Sequence, residues 1–226
     1  MKAMSYTRHG PAAEVLEFGD LPNSVAGPGE VLVRVVTSGV NPSDVKARAG
    51  FLWPMTALRT IPHSDGAGVI EAVGDGVDST RVGQNVWMYN VNRTEDGLGQ
   101  GAIGTGAELV AVRGSLAVPL PAGFGFVEAA ALGVPAMTAH SALLTDGPVE
   151  GMSVLVTGGA GAVGSLAIQT ARWAGAKNVV TTISSDAKAA TAREDGANAT
   201  VNYKETGTGE ELVAALLEAN NGHKFD

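Results

Sequence analysis

Three glycines at the spacing Gly159-x-Gly161-x-x-Gly164 are the residues here whose pattern most clearly implies chemistry, and that chemistry is the holding of negative charge. They follow Val154-Leu155-Val156, a run of the kind buried on both faces of a parallel sheet. They open a segment in which Val163, Leu166, Ala167, Thr170, Ala171 and Ala174 recur at helical spacing until Gly175 stops it. Such a strand–turn–helix needs each glycine for its own reason. Gly159 is expected to make the tight turn, Gly161 to let backbone approach a pyrophosphate, and Gly164 to let helix pack closely on strand. Free N–H groups and the helix dipole at the turn then favour an anion. Gly159, Ala160, Gly161, Ala162, Val163 and Gly164 are therefore candidate cofactor contacts. In a chain with 31 glycines the spacing alone is weak, and its strand and helix context gives it weight.

The elements that must position this turn change style along the chain. Up to about residue 121 the pattern is of short strands and turns, with strands expected over 30–36, 67–73, 85–89 and 108–112, as in a small β-barrel. Asn41-Pro42-Ser43-Asp44 reads as a turn that caps a helix, and 97–106 as a mobile glycine-rich loop. Beyond residue 128 a helix over 129–144, broken near Pro135, precedes alternating strands (154–157, 178–183, 199–203) and helices (186–195, 210–220). That alternation implies right-handed parallel crossovers. Lys224-Phe225-Asp226 stands where a fourth strand would begin. In the doubly wound order 3-2-1-4-5-6 the first strand needs the fourth as a neighbour, so an open edge along 154–157 and a chain that continues in the natural protein are expected.

Composition narrows the classes. Net charge is −8, no basic run is interleaved with aromatics, and nucleic acid is not an expected partner. With no cysteine, disulfides, thiolate metal sites and cysteine nucleophiles are excluded. No signal-peptide core and no membrane-length apolar segment is read, so a cytoplasmic protein away from membranes is the expectation.

Both halves together resemble the zinc-independent medium-chain dehydrogenase/reductase family, in its quinone oxidoreductase (zeta-crystallin-like) branch, over essentially the whole chain. Beside the glycine turn, the carriers are Gly29-Glu30-Val31-Leu32-Val33-Arg34-Val35, Ser38-Gly39-Val40-Asn41-Pro42-Ser43-Asp44, Asp65-Gly66-Ala67-Gly68-Val69-Ile70-Glu71-Ala72-Val73-Gly74 and the run from Glu128 to Ala139. The resemblance implies an α/β protein: a GroES-like β-barrel catalytic domain over 1–122, then the first half of a doubly wound Rossmann NADP-binding domain over 123–226. It implies NADP(H) between them, hydride transfer from nicotinamide C4 to a quinone or similar electron-poor acceptor, and a homodimer for the full-length form.

Where zinc-dependent relatives carry a cysteine this chain has Asn41, and where they carry Gly-His-Glu it has His63-Ser64-Asp65. Two such donors do not make a site, so no metal is expected. An NAD site wants a carboxylate about 20 positions beyond the glycines. Here the strand ends Thr182-Ile183-Ser184-Ser185, hydroxyls suited to a 2′-phosphate, with Lys188 as a cation nearby. The family's phosphate-binding lysine and tyrosine fall on Lys188 and Tyr203, which taken singly read equally as a solvated lysine and a strand aromatic. Thr138 matches a cofactor-contacting threonine. Asn41 matches the family's site asparagine, toward cofactor or substrate carbonyl, and also reads as a plain turn residue. Two tyrosines of the relatives' quinone pocket are Lys46 and Leu52 here, leaving Trp53, with Phe51, as the aromatic wall for an acceptor. No acid–base residue is assigned. Two alternatives stay open: an enoyl, alkenal or haloacrylate double-bond reductase, and an NADPH-binding protein without catalysis.

Overall fold

The structure, a computed structural model, describes residues 1–94 and 99–226. They form two compact units, Met1–Val134 and Pro135–Asp226. The short helix over 126–130 packs into the first unit, where Ala129 and Ala130 bury against Ala67.

In the first unit β1 (Lys2–Ser5) and β2 (Glu17–Asp20), with α1 (Ala12–Val15) between them, form an antiparallel ribbon. The main sheet has the order β6-β3-β4-β5-β7, made of β3 (Glu30–Gly39), β4 (Asp65–Val73), β5 (Asn85–Met88), β6 (Leu109–Arg113) and β7 (Ala117–Pro119). Val31 and Val33 alternate inward along β3 and, with Ile70, Val86, Met88 and Val110, form the core of this unit. Bulges in the β3–β4 ladder bend the sheet. After β3 comes α2 (Pro42–Arg48), with Pro42 at its start and the Asn41 N–H bonded to the Asp44 carboxylate. Of the loop expected over 97–106, Gly97 and Leu98 lie outside the described residues. From Gln100 on it is tied down rather than free, by Ile61 N–H to the Ala102 carbonyl and by Thr105 and Gly106 N–H to the His63 and Pro62 carbonyls.

The helix expected over 129–144 is two helices, α3 (Phe126–Ala130) and α4 (Gly133–Leu144). The break lies at Ala131–Leu132, and Pro135 sits in the first turn of α4, where its missing N–H costs nothing.

In the second unit β8 (Ser153–Val156), β9 (Asn178–Ile183) and β10 (Ala199–Asn202) are parallel in the order β10-β9-β8, the 3-2-1 half of a doubly wound sheet. Its helices are α5 (Ala162–Trp173), α6 (Asp186–Glu194), the short α7 (Tyr203–Thr206) and α8 (Glu210–Ala219). β9, paired on both sides, is buried almost throughout, whereas Val154 and Leu155 of the edge strand β8 are half-buried. The open side of β8 is met at Ser153, whose carbonyl accepts from the Asp226 N–H (3.1 Å) and whose N–H donates to the Asp226 carboxylate (2.8 Å). The buried face of α5 is Gly164, Ala167, Ile168 and Ala171, one residue round from the expected stripe, leaving Val163 39% exposed. Gly164 must face the preceding turn, and that requirement sets the helix rotation.

Ile168, fully buried, should cost about 2–5 kcal/mol when cut to alanine. Val163→Ala should cost less than about 1 kcal/mol, and urea midpoints of the C-terminal unit separate the two.

Candidate functional site

The glycine turn is built by backbone approaching backbone. Gly158, at φ +70°, makes the tight turn expected of Gly159. A Cβ on Gly159 would lie 2.2 Å from Thr181 Oγ1, and one on Gly164 would lie 2.2 Å from the Gly158 carbonyl oxygen. Gly159 is therefore glycine for packing on β9, as is Gly164 for packing on the turn. β9 holds the loop by Thr182, whose hydroxyl accepts from Gly158 N–H (2.9 Å) and whose carbonyl accepts from Gly159 N–H (3.1 Å). That hydroxyl is committed to the turn rather than free for a 2′-phosphate. At Gly161, the N-cap of α5, a Cβ would meet only the Gly158 oxygen, at 3.3 Å. Among the described residues the N–H groups of Ala162, Val163 and Gly164 have no protein acceptor. Open space and unpaired donors at the start of a twelve-residue helix fit a pyrophosphate.

The ends of β9 and β10 lie side by side, Asn202 opposite Ile183, so Ser184 and Tyr203 follow at the same edge of the sheet. Ser185 caps α6, its hydroxyl accepting from Lys188 N–H, and Lys188 Nζ donates to Ser184 Oγ at 3.0 Å. The fold thus gathers Ser184, Ser185 and Lys188. Tyr203, expected within a strand, instead opens α7 and is 40% exposed. Asp186, in the first turn of α6, favours that helix start. Thr138 is on the exposed side of α4.

In the first unit Asn41 is buried, and its Nδ2 donates to Asp65 Oδ2 at 2.7 Å. The same oxygen accepts from Val134 N–H at 2.7 Å, while Oδ1 has no partner. Gly133 makes room for this carboxylate, since a Cβ there would fall 2.2 Å from Oδ1, whereas a Cβ on Gly39 would fall 2.2 Å from the Ala130 carbonyl oxygen. Beside it Ser38 Oγ bonds both His63 Nδ1 and Thr105 Oγ1 (2.8 Å each), Thr105 bonds the Asp65 carbonyl, and Asp44 accepts from the Ser64 hydroxyl. His63, at φ +78°, is held below its usual pKa by burial, opposed by Asp44, so its bond to Ser38 is that of a neutral imidazole. Burial pushes Asp44 up and raises Asp65 from 3.8 to about 6, the latter against the opposing bonds from Val134 and Asn41. Asn41 turns an N–H donor, not a lone pair, toward the carboxylate. Among the described residues no group of three or more His, Cys, Asp or Glu side chains is arranged to hold a metal.

Trp53 carries the Arg93 guanidinium over its ring, 4.1 Å from the centroid. Phe51, its expected companion, is 80% exposed, Leu52 is 40% exposed, and Lys46 is on the outer side of α2. Sequence gives Asp65 only as one of two donors that do not make a metal site, beside its place in Asp65-Gly66-Ala67-Gly68, and gives Arg93 no signal.

Residues 27–122 match the alcohol dehydrogenase GroES-like domain family and residues 162–226 the zinc-binding dehydrogenase family. A quinone oxidoreductase of Rattus norvegicus is 33% identical over 92% of this chain and 65% of its own length. A 2-methylene-furan-3-one reductase of Solanum lycopersicum is 37% identical over 90% of this chain and 52% of its own. The chain belongs to the medium-chain dehydrogenase/reductase family. Among solved structures, the quinone oxidoreductase of Escherichia coli complexed with NADPH superposes with a TM-score of 0.81 at 27% identity, covering all of this chain and 64% of that one. An NAD-dependent alcohol dehydrogenase superposes with a TM-score of 0.87 at 32% identity, covering 100% and 69%. The chain spans between about half and two thirds of the length of the two curated relatives. No helix among its described residues is long and apolar enough to cross a membrane.

Two outcomes follow from the site geometry. Gly164→Ala should destabilise the C-terminal unit by about 3 kcal/mol or more, since the new methyl meets fixed backbone. Gly161→Ala should change stability by less than about 1 kcal/mol, both read by urea denaturation. In the folded state Asp65 binds its proton more tightly than in the unfolded chain, so its contribution to stability is present at low pH. It is lost as pH rises from about 4 to about 6, by at most about 3 kcal/mol. Asp65→Asn should remove that fall, and comparing both proteins' unfolding midpoints between pH 4 and 7 isolates it.

Proposed function

We propose that this protein reduces a quinone or an activated alkene with NADPH, without a catalytic metal. The reading is carried by one observation: unpaired amides and an open Gly161 start α5, while the neighbouring strand ends in Ser184, Ser185 and Lys188 rather than a carboxylate. In this reading the 159–164 turn holds the pyrophosphate. Ser184 and Ser185 donate hydroxyls to the 2′-phosphate, Lys188 gives it a cation, and Tyr203 stands at the same sheet edge. Asn41 and Thr138 serve the nicotinamide end. When bound, the reduced nicotinamide supplies a hydride. The residues of the chain bind, orient and keep out water, and that positioning supplies most of the acceleration. Asn41, its amide fixed by Asp65, keeps one N–H for a partner in the cofactor or the acceptor carbonyl. The Asn41–Asp65 pair supports a metal-free reaction, because it fills with a hydrogen bond the positions where zinc-dependent relatives carry ligands.

A double-bond reductase is the second reading. It is favoured by the Solanum lycopersicum relative and by Lys46 and Leu52 standing where the quinone pocket of relatives has tyrosines. Both reactions deliver hydride to an electron-poor carbon conjugated to a carbonyl, so NADPH oxidation with matched quinones and enones decides between them.

Lys188→Ala should weaken NADPH binding about tenfold and leave NADH binding unchanged, as measured by calorimetric titration. NADH binding as tightly as NADPH, as the name of the NAD-dependent neighbour would suggest, overturns the assignment.

A further inference from the structure

Arg93 sets itself apart from the other arginines. Arg34 and Arg59 meet carboxylates, and Arg8, Arg48, Arg81, Arg172 and Arg193 donate to oxygens of the chain. Among the described residues, Arg113, which is exposed, and Arg93, which is half-buried, have no such acceptor. A half-buried guanidinium that meets no carboxylate among the described residues is a costly placement. Stacking on Trp53 satisfies one face of the ion and none of its five N–H donors.

The position of Arg93 is held. Val91 N–H donates to the Ser64 carbonyl (3.0 Å), Asn92 Nδ2 donates to the Ile61 carbonyl (2.6 Å), and Arg93 bridges to Gln100. The segment therefore runs alongside residues 61–64, which lead directly into Asp65, the partner of Asn41. Arg93 is near enough to Asp65 to lower its proton affinity slightly, yet makes no ion pair with it, so its charge is not spent there. It also borders a cavity of about 390 Å3, within the size of small-ligand pockets, whose lining includes a second guanidinium, Arg113, and one carboxylate, Glu30, with Ile103, Ala111 and Leu116, while Trp53 lies outside that lining.

The geometry points to Arg93, backed by the Trp53 ring, as the receptor for an anionic oxygen on the acceptor. The substrate class is then a flat unsaturated carbonyl compound bearing a carboxylate or sulfonate, rather than a neutral quinone. A guanidinium edge binds such a group through two parallel N–H bonds, and the indole gives a conjugated ring a face to stack on. This inference rests on the hydride-transfer reading for the reaction, but not for binding.

The test compares 1,2-naphthoquinone-4-sulfonate with 1,2-naphthoquinone, which differ by the sulfonate alone, using the whole chain. Binding is read by quenching of tryptophan fluorescence and turnover by NADPH oxidation. The sulfonated compound should bind about tenfold or more tightly over its parent. Arg93→Gln should bring that ratio to about one, Arg93→Lys should keep part of it, and NADPH binding should be unchanged in both. Equal binding of the two quinones, or a preference that survives Arg93→Gln, overturns the inference. Preference without NADPH oxidation supports the site and overturns the proposed reaction. NADPH oxidation with both quinones at equal efficiency does the reverse.

Discussion

The carboxylate of Asp65 occupies space that a Cβ on Gly133 would fill and draws in two donors at once, the side chain of Asn41 and the backbone of Val134. Much of the first unit's site follows from that arrangement. Asn41 is the cap of α2, so fixing its amide fixes the start of the helix that also carries Asp44. Val134 is the second residue of α4, so the same oxygen anchors that helix start to β4. The carboxylate is buried, and its proton affinity is high because desolvation outweighs the bonds it accepts. A buried carboxylate with one oxygen unpartnered is a destabilising choice for a fold alone.

Close approach of backbone governs the second unit as well. Gly158 turns, Gly159 lies on Thr181, and Gly164 lies on Gly158, leaving Gly161 with open space before it. Three of these four glycines are there for the protein's own packing and one for what lies outside it. The rotation of α5 follows from the same contact, since Gly164 must face inward and Ile168 and Ala171 come with it. A helix packed this closely leaves its first amides free.

Relatives with two kinds of names, quinone oxidoreductases and an enone reductase, share this frame. In the proposed reading, binding and orienting a hydride donor needs the turn and the sheet edge, whereas the acceptor meets side chains on less regular segments, where Trp53 and Arg93 stand.

Local pattern was enough for much of this. The strand–turn–helix, the 3-2-1 order and the hydroxyl-and-lysine end of β9 were legible because strand and helix periodicity and turn chemistry act over a few neighbouring residues. The family was legible in collinear motifs. Tertiary structure alone decided the rest. It assigned the turn to Gly158 rather than Gly159, moved the helix break ahead of Pro135, rotated α5 away from Val163 and placed Tyr203 outside its strand. It also joined Asn41 to Asp65 and Arg93 to Trp53, pairs 24 and 40 positions apart in the chain. A hydrogen bond or a stacked ring depends on the distance between atoms after the sheet has formed. Residue types and spacing along one chain set which contacts are chemically possible, and only packing sets which of them are made.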